Sequence, residues 1–262
     1  MVAIRQLCRA KETLSMADRF DPRTAERMRA GSINAPGNVS AARDEGLRKY
    51  MLSIYNYMTS GILLTGIVAL LFAQSGMAAD IMFGPGILKY VIIFAPLLIV
   101  FAMSFGMNRF SAPALQGMFW GFATLMGLSM STIFLVYTGE SIALAFFSTA
   151  AAFAGLSLWG YTTKKDLTGW GSFLIMGVVG LIVASILNIF LQSSVMGLVI
   201  SYAAVLIFAG LTAYDTQKLK SLYWQVAGSD MMGKIVIMGA LNLYLDFINM
   251  FQALLSIMGS RD

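Results

Sequence analysis

Histidine is absent from this chain. No imidazole can therefore sense protons near neutrality, and no Ser-His or Cys-His pair can activate a nucleophile. Cysteine occurs once, at Cys8. That excludes an intrachain disulfide and a cysteine cluster for zinc, and the lone thiol is expected to be free and exposed. No glycine-rich phosphate loop is present. These absences argue against a classical enzyme and imply no cofactor. Charge is also scarce. Only 12% of the 262 residues are charged, against about 25% in soluble domains.

Apolar sequence fills the space: 58% of residues are hydrophobic. Glycine (25), Met (19) and Phe (18) are abundant, as packed transmembrane helices with small contact residues require. The composition reads as an integral membrane protein. No early apolar run marks a cleavable signal, so insertion is expected to start at the first spanning segment.

Apolar runs of about 20 residues predict spanning helices. Seven are expected, near 51–74, 87–107, 113–137, 141–161, 170–192, 196–217 and 234–258. The fold class is thus all-α, an integral membrane protein with seven transmembrane helices. Residues 1–49 form a separate basic tail, and 50–262 the transmembrane domain. Residues 1–50 hold ten of the eighteen Lys and Arg, against six acids. The net charge of +5 is therefore a tail property and no nucleic-acid signal. Arg109, Lys164, Lys165, Lys218, Lys220 and Lys234 fall in alternate loops, which predicts a cytoplasmic N-terminus. Trp159, Tyr161, Trp170, Tyr223 and Trp224 fit an interfacial belt on that side. Within the tail, Asp21-Pro22 reads as a helix start and Gly31 as its stop, with partial disorder the alternative reading, and residues 32–40 read as a linker. Pro96 is expected to kink the second span or free a carbonyl.

Two aspartates stand out. A charged carboxylate at the bilayer centre costs roughly 2.5–3.5 kcal/mol on insertion scales. Asp246 lies within the seventh segment and Asp215 near the cytoplasmic end of the sixth. Asn242, Asp246, Asn249, Gln252 and Ser256 recur at steps of three or four, so one face of the seventh helix is polar. Such a face avoids lipid and meets protein or water. Hydrogen bonding between helices explains the Asn, Gln and Ser, at about 0.6 kcal/mol each. It explains Asp246 poorly, since a carboxylate needs a cation, a proton or water. Asp215 has a plainer explanation as an interfacial carboxylate beside Lys218. If the two carboxylates meet, they cannot both ionise cheaply and titrate as a unit. Oxygen ligands of this kind suit Ca²⁺, and two carboxylates make only a weak calcium contact, fit for passage more than storage. Arg109 is either a topology anchor or a bidentate partner for the pair.

The segments Gly210-Leu211-Thr212-Ala213-Tyr214-Asp215-Thr216-Gln217-Lys218-Leu219 and Ala240-Leu241-Asn242-Leu243-Tyr244-Leu245-Asp246-Phe247-Ile248-Asn249-Met250-Phe251 closely resemble the Bax inhibitor-1 (transmembrane Bax inhibitor motif) family. Lys164-Lys165-Asp166-Leu167, Gly171-Ser172-Phe173-Leu174 and Asn188-Ile189-Phe190 support the likeness, which runs from about residue 50 to 258. The resemblance implies a central seventh helix surrounded by the other six. It implies a pH-sensitive calcium leak in which Asp215 and Asp246 form a di-aspartyl sensor, with Arg109 as the matching latch. Asn108-Arg109-Phe110 departs from the family pattern in having no neighbouring basic residue. A bacterial plasma (inner) membrane location is the expectation that follows. Two other functions remain open. The tail suggests a regulatory protein that binds a membrane protease or acts in a stress or cell-death response. The same carboxylates could instead carry coupling protons in an ion transporter.

Overall fold

A computed structural model describes residues 36–260, with side chains from Asp44 onward. The helix expected after Asp21-Pro22 lies outside the described residues. The chain divides into two units after Lys49, and the second, Tyr50–Asp262, carries the helical bundle.

Nine helices form among the described residues: α1 (Pro36–Gln74), α2 (Met77–Phe83), α3 (Leu88–Gly106), α4 (Ala112–Met130), α5 (Ile133–Val136), α6 (Gly139–Thr162), α7 (Thr168–Leu191), α8 (Ser194–Val226) and α9 (Met231–Met258). Seven spans result, with α4 and α5 sharing the third. The protein is a multi-pass integral membrane protein of all-α class, as the hydropathy pattern predicts.

The short loops are built by caps. Thr138 accepts a hydrogen bond from the Ser141 amide, and Ser193 one from the Met196 amide. Each hydroxyl satisfies an orphan N–H of the first turn. Gln192 ends α7 in the left-handed region, at φ 50°. Ser111 caps α4, with a proline in the first turn, as the Ser111-Ala112-Pro113 signal predicts.

Four details differ from the sequence-based expectation. Residues 36–40, expected as linker, already belong to α1, because Pro36 is tolerated in a helix's first turn, where its missing N–H has no partner to lose. α2 stands where hydropathy predicts only a loop. α8 continues nine residues past 217, since Leu219 and Tyr223 keep burying one face. Tyr223 is buried rather than interfacial, its ring 5.4 Å from that of Tyr50. By contrast, Trp159, Trp170 and Trp224 are exposed, as the belt reading requires. α3 runs through Pro96 as one helix.

α9 is the centre. Over half of its apolar window is buried (56%), against 6% to 33% for the other six spans. It packs on α8, α6 and α4. Tyr244 of α9 shares a hydrogen bond with Thr65 of α1 at 2.7 Å, and Thr65 donates to the Ala123 carbonyl of α4 at 2.8 Å. Phe119 and Phe122 close edge-on around the Tyr244 ring. α3 packs on α4, and α7 on α8. These two helices lie at the edge of the bundle, with 17% and 6% of their windows buried.

Candidate functional site

Four of the five polar residues on one face of α9 border a common space, with Gln252 exposed on it. Asn242, Asp246, Asn249 and Gln252 line one cavity of about 740 Å³. Asp215 lines the same cavity from α8. The structure thus brings the two aspartates together on one space, although 31 positions separate them in sequence.

Packing fixes where α8 stands. Gly160 of α6 lies so close to α8 that a Cβ there would be 2.3 Å from the Ala213 carbonyl oxygen. Gly171 of α7 similarly faces the Tyr214 ring, and Gly210 faces Leu174. These approaches flank Asp215 on both sides. On the α6 face, Ser157 and Thr216 share a hydrogen bond at 3.0 Å, and Thr216 donates to the Thr212 carbonyl. Tyr55 of α1 also bonds Ser157. This chain of hydroxyls ties α1, α6 and α8 together one residue from Asp215. Only the helical pitch, turning neighbours by about 100°, keeps Thr216 on a different face.

Gln217 explains another part of the sequence. Its Oε1 accepts from the Leu167 amide at 2.8 Å, and its Nε2 donates to the Lys165 carbonyl at 2.8 Å. The Lys164-Lys165-Asp166-Leu167 segment is therefore clamped to α8 two residues from Asp215. Hydrogen bonding by Thr168, first from its side chain and then from its amide, which donates to Asp166 at 2.9 Å, holds the Asp166 carboxyl below the usual carboxylate range. Lys220 donates to the Tyr161 carbonyl at 2.7 Å and stands 4.8 Å from the centre of that ring.

Asp246 is the exceptional side chain. It is 4% exposed, and its Oδ2 has no hydrogen-bond partner. Buried polar atoms are almost always paired, so each exception calls for a reason. Asp215 is partly buried. Lys218, three residues on, stands 5.8 Å from the centre of the Tyr214 ring. Among the described residues, the ion pair with a defined contact is Lys49–Glu45, far along the chain from the cavity.

Other candidates fall elsewhere. Arg109 is exposed beyond the end of α3 and makes no ion pair with either aspartate. Ser256 is outside the cavity lining. Its hydroxyl accepts from Ser201 of α8 at 3.0 Å, one turn beyond Gln252. Asn249 donates to the Leu245 carbonyl within its own helix. Ser185 and Ser201 add polar lining that sequence reasoning does not single out. Isolated serines in apolar spans give too weak a signal, because a serine can bond its own helix, as Ser201 does with Gly197. Among the described residues, no group of three acidic or cysteine side chains could hold a metal. A cation at this site would meet two carboxylates and neutral amide oxygens.

The family model described as inhibitor of apoptosis-promoting Bax1 matches residues 47–262. The chain belongs to the Bax inhibitor-1 family. An uncharacterised Rickettsia prowazekii protein is 46% identical over 219 residues, covering 83% of this chain and 92% of the relative. The Escherichia coli inner membrane protein YbhL is 43% identical over 218 residues, covering 82% and 93%. A Streptococcus pyogenes protein named as an uncharacterised membrane protein is 36% identical over 221 residues, covering 84% and 96%. The family match begins inside α1, at residue 47, and runs on through the other six spans. Within this Bax inhibitor-1 fold the motifs that carried the resemblance are joined: the α8 and α9 segments each give an aspartate to one cavity, and Gln217 of the α8 segment clamps the loop before α7.

Proposed function

We propose that the protein is a calcium leak path through the membrane, controlled by proton occupancy of the Asp215–Asp246 pair. The observation that carries this reading is Asp246: nearly buried, one oxygen unpartnered, facing a cavity it shares with Asp215. A carboxylate in such a place is held by a proton, a cation or water. The absence of histidine leaves carboxylates as the groups able to answer to pH. A calcium leak is also in keeping with membership of the family.

In mechanism, a proton shared by the pair holds α8 and α9 together. Its loss places two like charges on one cavity and favours a state in which they separate or take up a cation. The switch is then a change in population between closed and open forms. Asn242, Asn249 and Gln252 offer amide oxygens beside Asp246 along the path. The Ser201–Ser256 bond stands one turn past Gln252 and belongs to the contact that opening must loosen. Arg109, as latch, has to leave its exposed position and approach the pair when the state changes. The reading places the N-terminus in the cytoplasm of a bacterial inner membrane, with protons, calcium ions and lipid as partners, and assigns no catalysis.

The test is calcium entry into dye-loaded proteoliposomes across pH 5 to 8. Wild type is expected to show flux that varies with pH. Asp215→Asn and Asp246→Asn are each expected to lose that variation. A double variant with unchanged pH-dependent flux would refute the reading. The tail supports a separate role as a docking segment for a membrane protease or other membrane partner. Removing residues 1–45 should then abolish the cellular phenotype and leave flux intact.

A further inference from the structure

We propose that the cavity bounded by α3, α7, α8 and α9 is a binding site for a cationic amphiphile. The ligand class is a single-chain primary amine with an apolar tail, entering sideways from the lipid. The proposal uses the same cavity as the leak reading but requires no ion flux.

Two chemistries meet in this cavity. Its α9 floor is polar, built from Asn242, Asp246, Asn249 and Gln252. Its α7 and α8 walls are apolar, with Val178, Ile182, Ile186, Ile189, Ala204 and Phe208. A hydrated metal ion satisfies the floor and leaves these walls without a partner. A lipid chain alone satisfies the walls and leaves the Asp246 oxygen unpaired. An ammonium group on an alkyl chain satisfies both. Its volume of about 740 Å³ falls within the roughly 300–1,000 Å³ of small-molecule sites, which are likewise mostly apolar with a few placed polar groups.

The cavity is reachable from the side. α3 contributes a single lining residue, Leu97, and packs on α4, whereas α7 packs on α8. In this proposal the gap between α3 and α7 serves as the mouth. Its rim residues are open: Leu97 is 48% exposed and Ile189 70%. In a bilayer they face acyl chains, where an amphiphile is already concentrated. Inside, Asp246 Oδ2 has no hydrogen-bond partner and no basic side chain lines the cavity. An unpartnered carboxyl oxygen with no basic side chain beside it offers an amine a hydrogen bond, and an ion pair once the acid has given up its proton.

The probe is dodecylamine, with dodecanol as its uncharged match, added to the full-length protein in nonionic detergent at pH 7. Thermal unfolding is followed for wild type, Asp246→Asn and Ala204→Phe. At saturating amine the wild-type midpoint is expected to rise by about 4 °C or more. Dodecanol is expected to give no comparable rise. Asp246→Asn removes the acid and Ala204→Phe fills the wall, and each should reduce the amine effect to that of the alcohol. Equal shifts with amine and alcohol in wild type, or a full amine shift kept in both variants, would overturn the proposal. If Asp246→Asn does not fold, the wild-type comparison and Ala204→Phe decide. Amine binding without calcium flux would refute the leak reading alone. Flux that depends on pH, without amine binding, would refute this one alone.

Discussion

Replacing Gly160 by alanine tests how the site is positioned. Within a helix, Gly→Ala ordinarily stabilises, by about 0.5–1 kcal/mol in the interior and by less in the last turn, where Gly160 stands. At Gly160 the sign should reverse. The added methyl would lie 2.3 Å from the Ala213 carbonyl oxygen and 2.9 Å from its carbonyl carbon. Real Cβ contacts essentially never fall under 3.0 Å, so α6 and α8 must part by at least about 0.7 Å. The obstacle is backbone, which no rotamer change can relieve. Overpacking of this kind costs about 1–3 kcal/mol, which outweighs the helix-propensity gain. For a chain of this size, the unfolding midpoint should fall by roughly 2–10 °C. Gly155, in the same helix, is the internal control. A Cβ there meets nothing within 4 Å, so Gly155→Ala should hold or raise the midpoint. Thermal unfolding of both variants in one detergent measures the difference. On the proposed leak reading, Gly160→Ala should also change the pH profile of calcium flux, because Ala213 is two residues from Asp215. If the two variants are equally stable, α6 and α8 are not in the close contact described, and the argument for how Asp215 is placed fails with it.

Other perturbations have defined outcomes. Tyr244→Phe removes the hydroxyl bonded to Thr65, while Thr65 keeps the Ala123 carbonyl. The loss should be about 0.6 kcal/mol, and a destabilisation above about 3 kcal/mol would show that more than one bond is broken. Gln217→Leu frees two main-chain groups of the loop between α6 and α7. Hydrogen exchange at the Leu167 amide should speed up, and an unchanged rate would contradict the clamp. Asp166 has its carboxyl held below its ordinary value of 3.8 by Thr168. A depressed folded-state value means the contact adds stability above that ordinary range and loses it as pH falls through the folded value. The Thr168 amide resonance should therefore titrate with a midpoint below the ordinary value of 3.8, and Asp166→Asn should abolish the movement.

Much of this protein is legible in its sequence because a bilayer leaves few options. Every backbone group must be paired within the spanning segment, so apolar runs of about 20 residues become helices and little else. The seven spans, and the polar stripe along one face of α9, follow from length and period. Asp246 stands out as exceptional because a carboxylate in hydrocarbon is costly whatever surrounds it. The ends of α8 and the helix α2 are not legible. Hydropathy stops at the charges of Lys218 and Lys220, while the helix goes on because Leu219 and Tyr223 still bury a face. Tertiary packing alone decides which groups meet. Asp215 and Thr216 are neighbours in sequence, yet one lines the cavity and the other bonds α6. Charge makes Arg109 a candidate partner for the pair, and the fold leaves it exposed. Period tells which residues share a face of one helix. Which face another helix presents depends on where glycine lets backbones approach, and Gly160 against Ala213 is a contact between positions that no local pattern links.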